Sequence, residues 1–179
     1  MKIVISVICF LIYVIIIPMK ILIVCIGNIC RSPMAEGILM HKLKQKNIHA
    51  TVDSAGTGPW HVGQHPDYRA IETAQQHGID ISKLVARLFV NTDFDKFDKI
   101  YVADEEVYSD VLSRAKNEKD IAKIDFLLNV FEPNSNKPVP DPYYGNQDGF
   151  ETIFQLIDQA CEKIVNELEK NSQLDKLDF

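Results

Sequence analysis

The chain has 179 residues, 46% of them hydrophobic, which is enough to build the core of one domain. Its formal net charge of −6 argues against nucleic acid as the main partner. Four cysteines, Cys9, Cys25, Cys30 and Cys161, form neither a disulfide framework nor a zinc-type Cys-x2-Cys pair, so a reducing, cytoplasmic setting is expected.

Residues 3–17 are apolar except for Ser6, and Pro18 closes the run. Three readings are open. A signal peptide would lack its small-x-small cleavage site and be cut against the first core strand. A membrane anchor of this length would span about 23 Å as a helix, short of the roughly 30 Å of hydrocarbon. The third reading places the true start at Met19 and treats residues 1–18 as a misassigned translation start. Membrane contact is expected only if residues 1–18 are retained.

Ile21 to Val24 is an unbroken apolar run that suits a strand buried on both faces of a parallel sheet. Ser32 can cap a helix, Pro33 suits its first turn, and Ala35, Ile38, Leu39 and Leu43 carry the helical spacing to about Lys46. Residues 49–53 read as a second strand ahead of Ser54-Ala55-Gly56, and 57–65 as a loop. His65-Pro66-Asp67 opens a helix that Gly78 ends. Residues 82–88 are an irregular connector, and Asn91-Thr92 caps a brief helix over 93–97.

Residues 99–103 form the third strand, and Asp104-Glu105-Glu106 begins a helix reaching about Lys116, with acidic groups at its positive end. Residues 123–127 are the fourth strand. Four prolines between Phe131 and Tyr144 exclude a regular element there. Residues 150–168 make an amphipathic helix, and the last ten residues are polar enough to fray.

Strands alternating with helices predict an α/β fold: a single domain with a four-stranded parallel sheet and helices on both faces. The division expected is an extension at 1–18, the domain at 19–170 and a tail at 171–179. Ligands then bind beyond the carboxyl ends of the strands, where Cys25, Ser54 and Asp104 gather.

The turn from Cys25 to Arg31 joins a strand to a helix N-terminus, a geometry that collects backbone N–H groups around an anion. A thiol at its mouth is held as thiolate, because unpaired donors and the helix dipole favour the charged form. Gly27 lets the backbone turn inward, and Asn28 tolerates left-handed dihedrals. Arg31 offers a planar fork for two oxygens of one phosphate. A thiolate beneath such a cradle can accept a phosphoryl group. The leaving oxygen then needs a proton, and Asp141, in an extended loop between two prolines, is the best candidate acid. The plain alternative is a turn-forming aspartate ahead of Pro142.

The segment Cys25-Ile26-Gly27-Asn28-Ile29-Cys30-Arg31-Ser32 resembles the Cys-x5-Arg-Ser loop of the low-molecular-weight protein tyrosine phosphatases. Asp53-Ser54-Ala55-Gly56, Trp60-His61-Val62-Gly63 and Asp141-Pro142-Tyr143-Tyr144-Gly145 are also family-like, and the likeness runs from about Met19 to about Lys170. Family domains begin just before the first strand, which favours Met19 as the start. The resemblance implies a flavodoxin-like fold and a hydrolase with no cofactor and no metal, acting on phosphotyrosine-containing proteins through a phosphocysteine.

By that resemblance Cys25 is the nucleophile, Arg31 the phosphate clamp and Asp141 the acid and later the base. Ile26, Gly27, Asn28, Ile29, Cys30, Arg31 and Ser32 bind phosphate. Asn28 and Ser32 steady the loop and thiolate, and Ser54 is their buried partner, although each could equally be a turn former or cap. Cys30 matches a cysteine that pairs reversibly with the nucleophile, or is a small packed side chain. Trp60, Tyr143 and Tyr144 match the pocket wall, or are ordinary interfacial aromatics. The family's His-x-Ala-Arg-Gln is here Leu84-Val85-Ala86-Arg87-Leu88, so the loop must be braced without that histidine.

Three rival readings remain. An arsenate reductase needs resolving cysteines, and only Cys161 is available downstream. A phosphoarginine phosphatase tends to carry threonine where Ile29 stands. A tethered phosphotyrosine-binding module would have lost catalysis.

Overall fold

The computed structural model describes residues 18–145 and 147–174, so the apolar run at 3–17 lies outside the described residues. β1 (Met19–Cys25) pairs in parallel with β2 (Ala50–Gly56) on one side and β3 (Lys99–Val102) on the other. β4 (Ile124–Phe126) completes a four-stranded parallel sheet of order β2-β1-β3-β4.

The central strand explains the two-sided core. Strand alternation sends Ile21, Ile23 and Cys25 into one buried cluster and Leu22 and Val24 into the other. The first cluster is completed by α1 (Arg31–Gln45), α2 (Tyr68–Gln76) and α6 (Gln147–Leu174). The second takes Phe94 from α3 (Asp93–Lys96) and Val107 and Val111 from α4 (Glu105–Ser113). Helices on both faces leave no water over the sheet, which is why β1 reads as an unbroken apolar run.

α6 buries Phe150, Ile153, Phe154, Ile157, Ala160, Cys161 and Ile164 along one stripe. It lies against α1, where Lys42 Nζ bridges Asp158 and Glu162 at 3.0 Å each. The helix starts three residues before the position expected and continues to Leu174, into the expected tail. Two short elements were not anticipated: α5 (Glu118–Ile121), capped by the Asn117 side chain, and a 3-10 turn at Leu127–Val130. Four residues carry no readable period. Ser54 lies within β2 rather than after it, so its side chain points from a strand into the interior. Asp67 caps α2 by accepting from Arg69 N–H, and Gly78, at φ 76°, follows its end as expected.

Candidate active site

Cys25 is the last residue of β1, and after five intervening residues the chain enters α1 at Arg31. Asn28 takes the left-handed conformation, φ 55°, and its main-chain N–H donates to Cys25 Sγ at 3.3 Å. Gly27 does not use a positive φ; a Cβ there would lie 3.0 Å from the His61 ring, so glycine makes room for a neighbour instead. A second strand of backbone supports the turn from behind. Thr57 N–H donates to the Cys25 carbonyl at 3.0 Å and Gly58 N–H to the Ile26 carbonyl at 2.9 Å. Gly56 permits that approach, since a Cβ would sit 2.6 Å from the Ile26 carbonyl oxygen.

Ser32 is not the helix cap. Cys30 holds the cap position with no side-chain bond to the helix, and Ser32 stands one residue inside α1. Its hydroxyl lies 3.0 Å from Cys25 Sγ and accepts from Asn28 Nδ2 at 2.9 Å. The serine therefore serves the sulfur rather than the helix end. Asn28 Nδ2 also donates to Ser54 Oγ at 2.8 Å. Asn28, Ser32 and Ser54 are all buried.

Leu84, which stands in place of the histidine whose absence the sequence shows, packs half-buried against the core. The brace comes from three residues further on. Arg87 main-chain N–H donates to Asn28 Oδ1 at 2.9 Å, while its guanidinium holds Asp53 at 2.7 Å and Asp93 at 2.9 Å. The irregular connector is thus pinned at both its backbone and its side chain.

Arg31 is 3% exposed although it is a permanent cation. Its Nη1 donates to Asp104 Oδ2 at 2.6 Å and to the Val139 carbonyl at 3.0 Å, and Nη2 donates to Asp141 Oδ2 at 3.0 Å. Burial opposes its charge, but the charges of Cys25 and Asp141 and the bond to Asp104 outweigh it and push the guanidinium up. Asp104 caps α4 with its other oxygen, accepting from Val107 N–H, so one carboxylate fixes a helix end and an arginine together.

Asp141 is set by residues that sequence reading passed over. Arg69 Nη1 donates to the Gly145 carbonyl at 2.9 Å and Nη2 to the Tyr143 carbonyl at 3.1 Å. Asp67 in turn holds that guanidinium at 2.8 Å, and Asp141 Oδ1 accepts from Tyr143 N–H at 3.0 Å. Arg69 occurs in no recognisable motif; its position one turn after a proline gave no signal. Upstream, Val139 N–H donates to the Ala103 carbonyl at 2.7 Å, tying the proline-rich loop to the end of β3.

These parts enclose a cleft of about 530 Å³. Cys25, Gly27, Ile29, Cys30 and Arg31 line it with Asp141, and Ile26, Trp60, His61, Tyr143 and Tyr144 also contribute. Glu106, from the first turn of α4, is a lining residue not anticipated. Burial, with the charges of Asp67, Cys25 and Asp141, pushes the Cys30 thiol far up, which keeps it neutral beside Cys25. Among the described residues no group of three or more His, Cys, Asp or Glu could hold a metal ion.

The model of the family described as low molecular weight phosphotyrosine protein phosphatase matches residues 20–174. The chain belongs to that family. A low molecular weight phosphotyrosine protein phosphatase from Schizosaccharomyces pombe is 40% identical over 143 residues, 78% of this chain and 90% of its own. The human protein of that description is 39% identical over 145 residues, covering 79% and 90%. Among solved structures, a protein tyrosine phosphatase from Entamoeba histolytica superposes with a TM-score of 0.79 at 34% identity, covering 86% of this chain and 99% of its own. YfkJ from Bacillus subtilis gives 0.79 at 38% identity, covering 87% and 97%. The chain is therefore a phosphatase of the hydrolase class, built on the α/β fold described above. Among the described residues no helix is long and apolar enough to cross a membrane.

Proposed function

We propose that the protein hydrolyses phosphotyrosine monoesters through a cysteinyl-phosphate, with Cys25 as nucleophile, Arg31 and the 26–32 backbone as cradle, and Asp141 as acid then base. One observation carries this reading: the Arg31 guanidinium, beside the Cys25 turn, reaches the Asp141 carboxylate at 3.0 Å within one cleft.

The steps follow from that geometry. The Cys25 sulfur attacks phosphorus in line with the ester bond, while the Arg31 fork and the amides of the turn hold the three equatorial oxygens. Asp141 gives up its contact with Arg31 Nη2 as the phosphoryl group takes that donor, and places its proton on the departing oxygen. It then removes a proton from the water that attacks the phosphocysteine, releasing phosphate and restoring the thiolate. Ser32 donates to the sulfur as it leaves. The aromatic walls from Trp60, Tyr143 and Tyr144 suit a phenyl ring, which reaches from the cleft mouth to its floor. Cys161 is fully buried on α6 with its thiol toward the Ala35 carbonyl, which does not suit a resolving cysteine of arsenate reduction.

Turnover of para-nitrophenyl phosphate tests the reading. Cys25→Ser should abolish turnover, and Asp141→Asn should lower kcat by about 10² to 10⁴. Full activity in Cys25→Ser would end the proposal.

A further inference from the structure

Most of the charged groups around the cleft are already engaged. Arg31 and Asp141 hold each other at 3.0 Å and serve the chemistry above. Asp104 is held by Arg31 at 2.6 Å, and Asp67 by Arg69 at 2.8 Å. Glu106 is the exception. It lines the cleft and is exposed, and among the described residues its carboxylate takes part in no side-chain hydrogen bond or ion pair. The fold nevertheless fixes where it stands. Asp104, two residues earlier, caps α4 while it holds the Arg31 guanidinium. Val107, one residue later, is fully buried and donates its N–H to the Asp104 carboxylate at 3.0 Å. Glu106 is thus carried on a helix end tied to the arginine of the cradle. The helix dipole favours acidic groups in a first turn, but Glu105 satisfies that equally and does not line the cleft.

We propose that Glu106 is a specificity-determining residue of the phosphatase reaction, selecting segments that carry a lysine or arginine beside the phosphotyrosine and disfavouring acidic ones. The inference rests on the phosphatase reading and names the class of sequence that the same site takes. A phosphotyrosine with its phosphate on Arg31 and its ring between the aromatic walls leaves its main chain at the mouth of the cleft. The residues on either side of it then pass the rim. Arg31, occupied by phosphate, is the one lysine or arginine among the described lining residues, and His61 is engaged with Gln64 through Nδ1 at 2.9 Å. A flanking carboxylate therefore meets Glu106 with no lysine or arginine of the rim to offset the repulsion. A flanking ammonium or guanidinium finds in Glu106 an acceptor that needs no prior bond to be broken. The apolar walls of the cleft concentrate that field rather than dispersing it. An exposed pair is still weak, so the selection amounts to a few-fold in rate rather than an absolute choice.

The test measures kcat/KM of the full chain on two end-blocked peptides, Ala-Lys-phosphotyrosine-Lys-Ala and Ala-Glu-phosphotyrosine-Glu-Ala. The wild type is compared with Glu106→Gln, Glu106→Lys and Glu105→Gln. The readout is the ratio of the lysine peptide to the glutamate peptide, taken within each protein so that any loss of folded enzyme cancels. That ratio should exceed one in the wild type, fall by about threefold in Glu106→Gln and by about tenfold in Glu106→Lys. It should also shrink in the wild type when salt is raised to about 0.5 M. A ratio that stays unchanged in both Glu106 variants overturns the proposal. So does a fall in Glu105→Gln equal to that in Glu106→Gln, which would assign the preference to the chain's net charge of −6 rather than to one placed carboxylate. Wild-type protein that hydrolyses neither peptide would instead overturn the phosphatase reading.

Discussion

Arg31 is where three distant parts of the chain meet: the turn after β1, the cap of α4 at Asp104 and the proline-rich loop at Val139 and Asp141. A buried guanidinium is tolerable only because every one of those partners is an oxygen, two of them charged. Glu36 is the opposite case, a buried carboxylate that accepts a hydrogen bond from the neutral Ser54 hydroxyl. Its folded-state ionisation near 7 lies above the ordinary 4.5, so the folded protein binds its proton more tightly than the unfolded chain does. Stability from that proton is complete below about pH 4.5 and is lost as pH rises through about 7. Glu36→Gln should therefore gain on the wild type by about 3 kcal/mol between those limits. Urea unfolding of both proteins at pH 5 and pH 8 measures it; equal shifts with pH would show that the carboxyl ionises normally.

At the scale of elements, the segment carrying Asp141 has no regular structure and is positioned by Arg69 at one end and by the Val139 bond to Ala103 at the other. Arg69 also lies over the rings of Phe150 and Tyr143, 4.5 and 5.8 Å from their centres. Arg69→Met should loosen Asp141 while sparing the nucleophile. The expected result is a loss of about tenfold in kcat for substrates with poor leaving groups, and little change for para-nitrophenyl phosphate, whose leaving group asks less of the acid. Equal losses on both would mean that Arg69 supports the whole cleft instead.

The strands and the long helices were legible because burial imposes a pattern: β1 is apolar without a break from Ile21 to Cys25, and α6 repeats every three or four residues. The turn from Cys25 to Ser32 was legible as an anion-holding turn because a glycine and an asparagine lie between the end of an apolar strand and a helix start, with a thiol and an arginine at its two ends. Arg69, Arg87 and Glu36 were not. Each acts through a main-chain group or a hydroxyl distant in sequence, and such pairings leave no local pattern. Ser32 misled for the same reason: a serine before a proline looks like a cap, and only the fold shows that the sulfur claims its hydroxyl.

For the whole molecule, the two faces of the sheet divide the work. One core holds α1 and α6 together, and the site grows from the carboxyl ends of β1, β2 and β3. Phe154 is buried between these helices with His77 stacked on it at 4.2 Å, and it takes no part in lining the cleft. Phe154→Ala should cost about 3 to 5 kcal/mol in stability. KM should stay as in the wild type at temperatures where the variant remains folded. A changed KM would show that core packing on this face is transmitted to the turn.

Trp60 is the single tryptophan of the chain; it stands 69% exposed at the mouth of the cleft, its indole laid over Gly58, where a Cβ would fall 1.9 Å from the ring. Its emission is therefore a natural optical probe of occupancy. Vanadate or an aryl phosphonate entering the cleft changes the surroundings of that one fluorophore, whereas denaturation moves it merely from one wet environment to another. Ligand titrations can thus be read from the native side chain with no added dye, and melting curves should be recorded by circular dichroism instead.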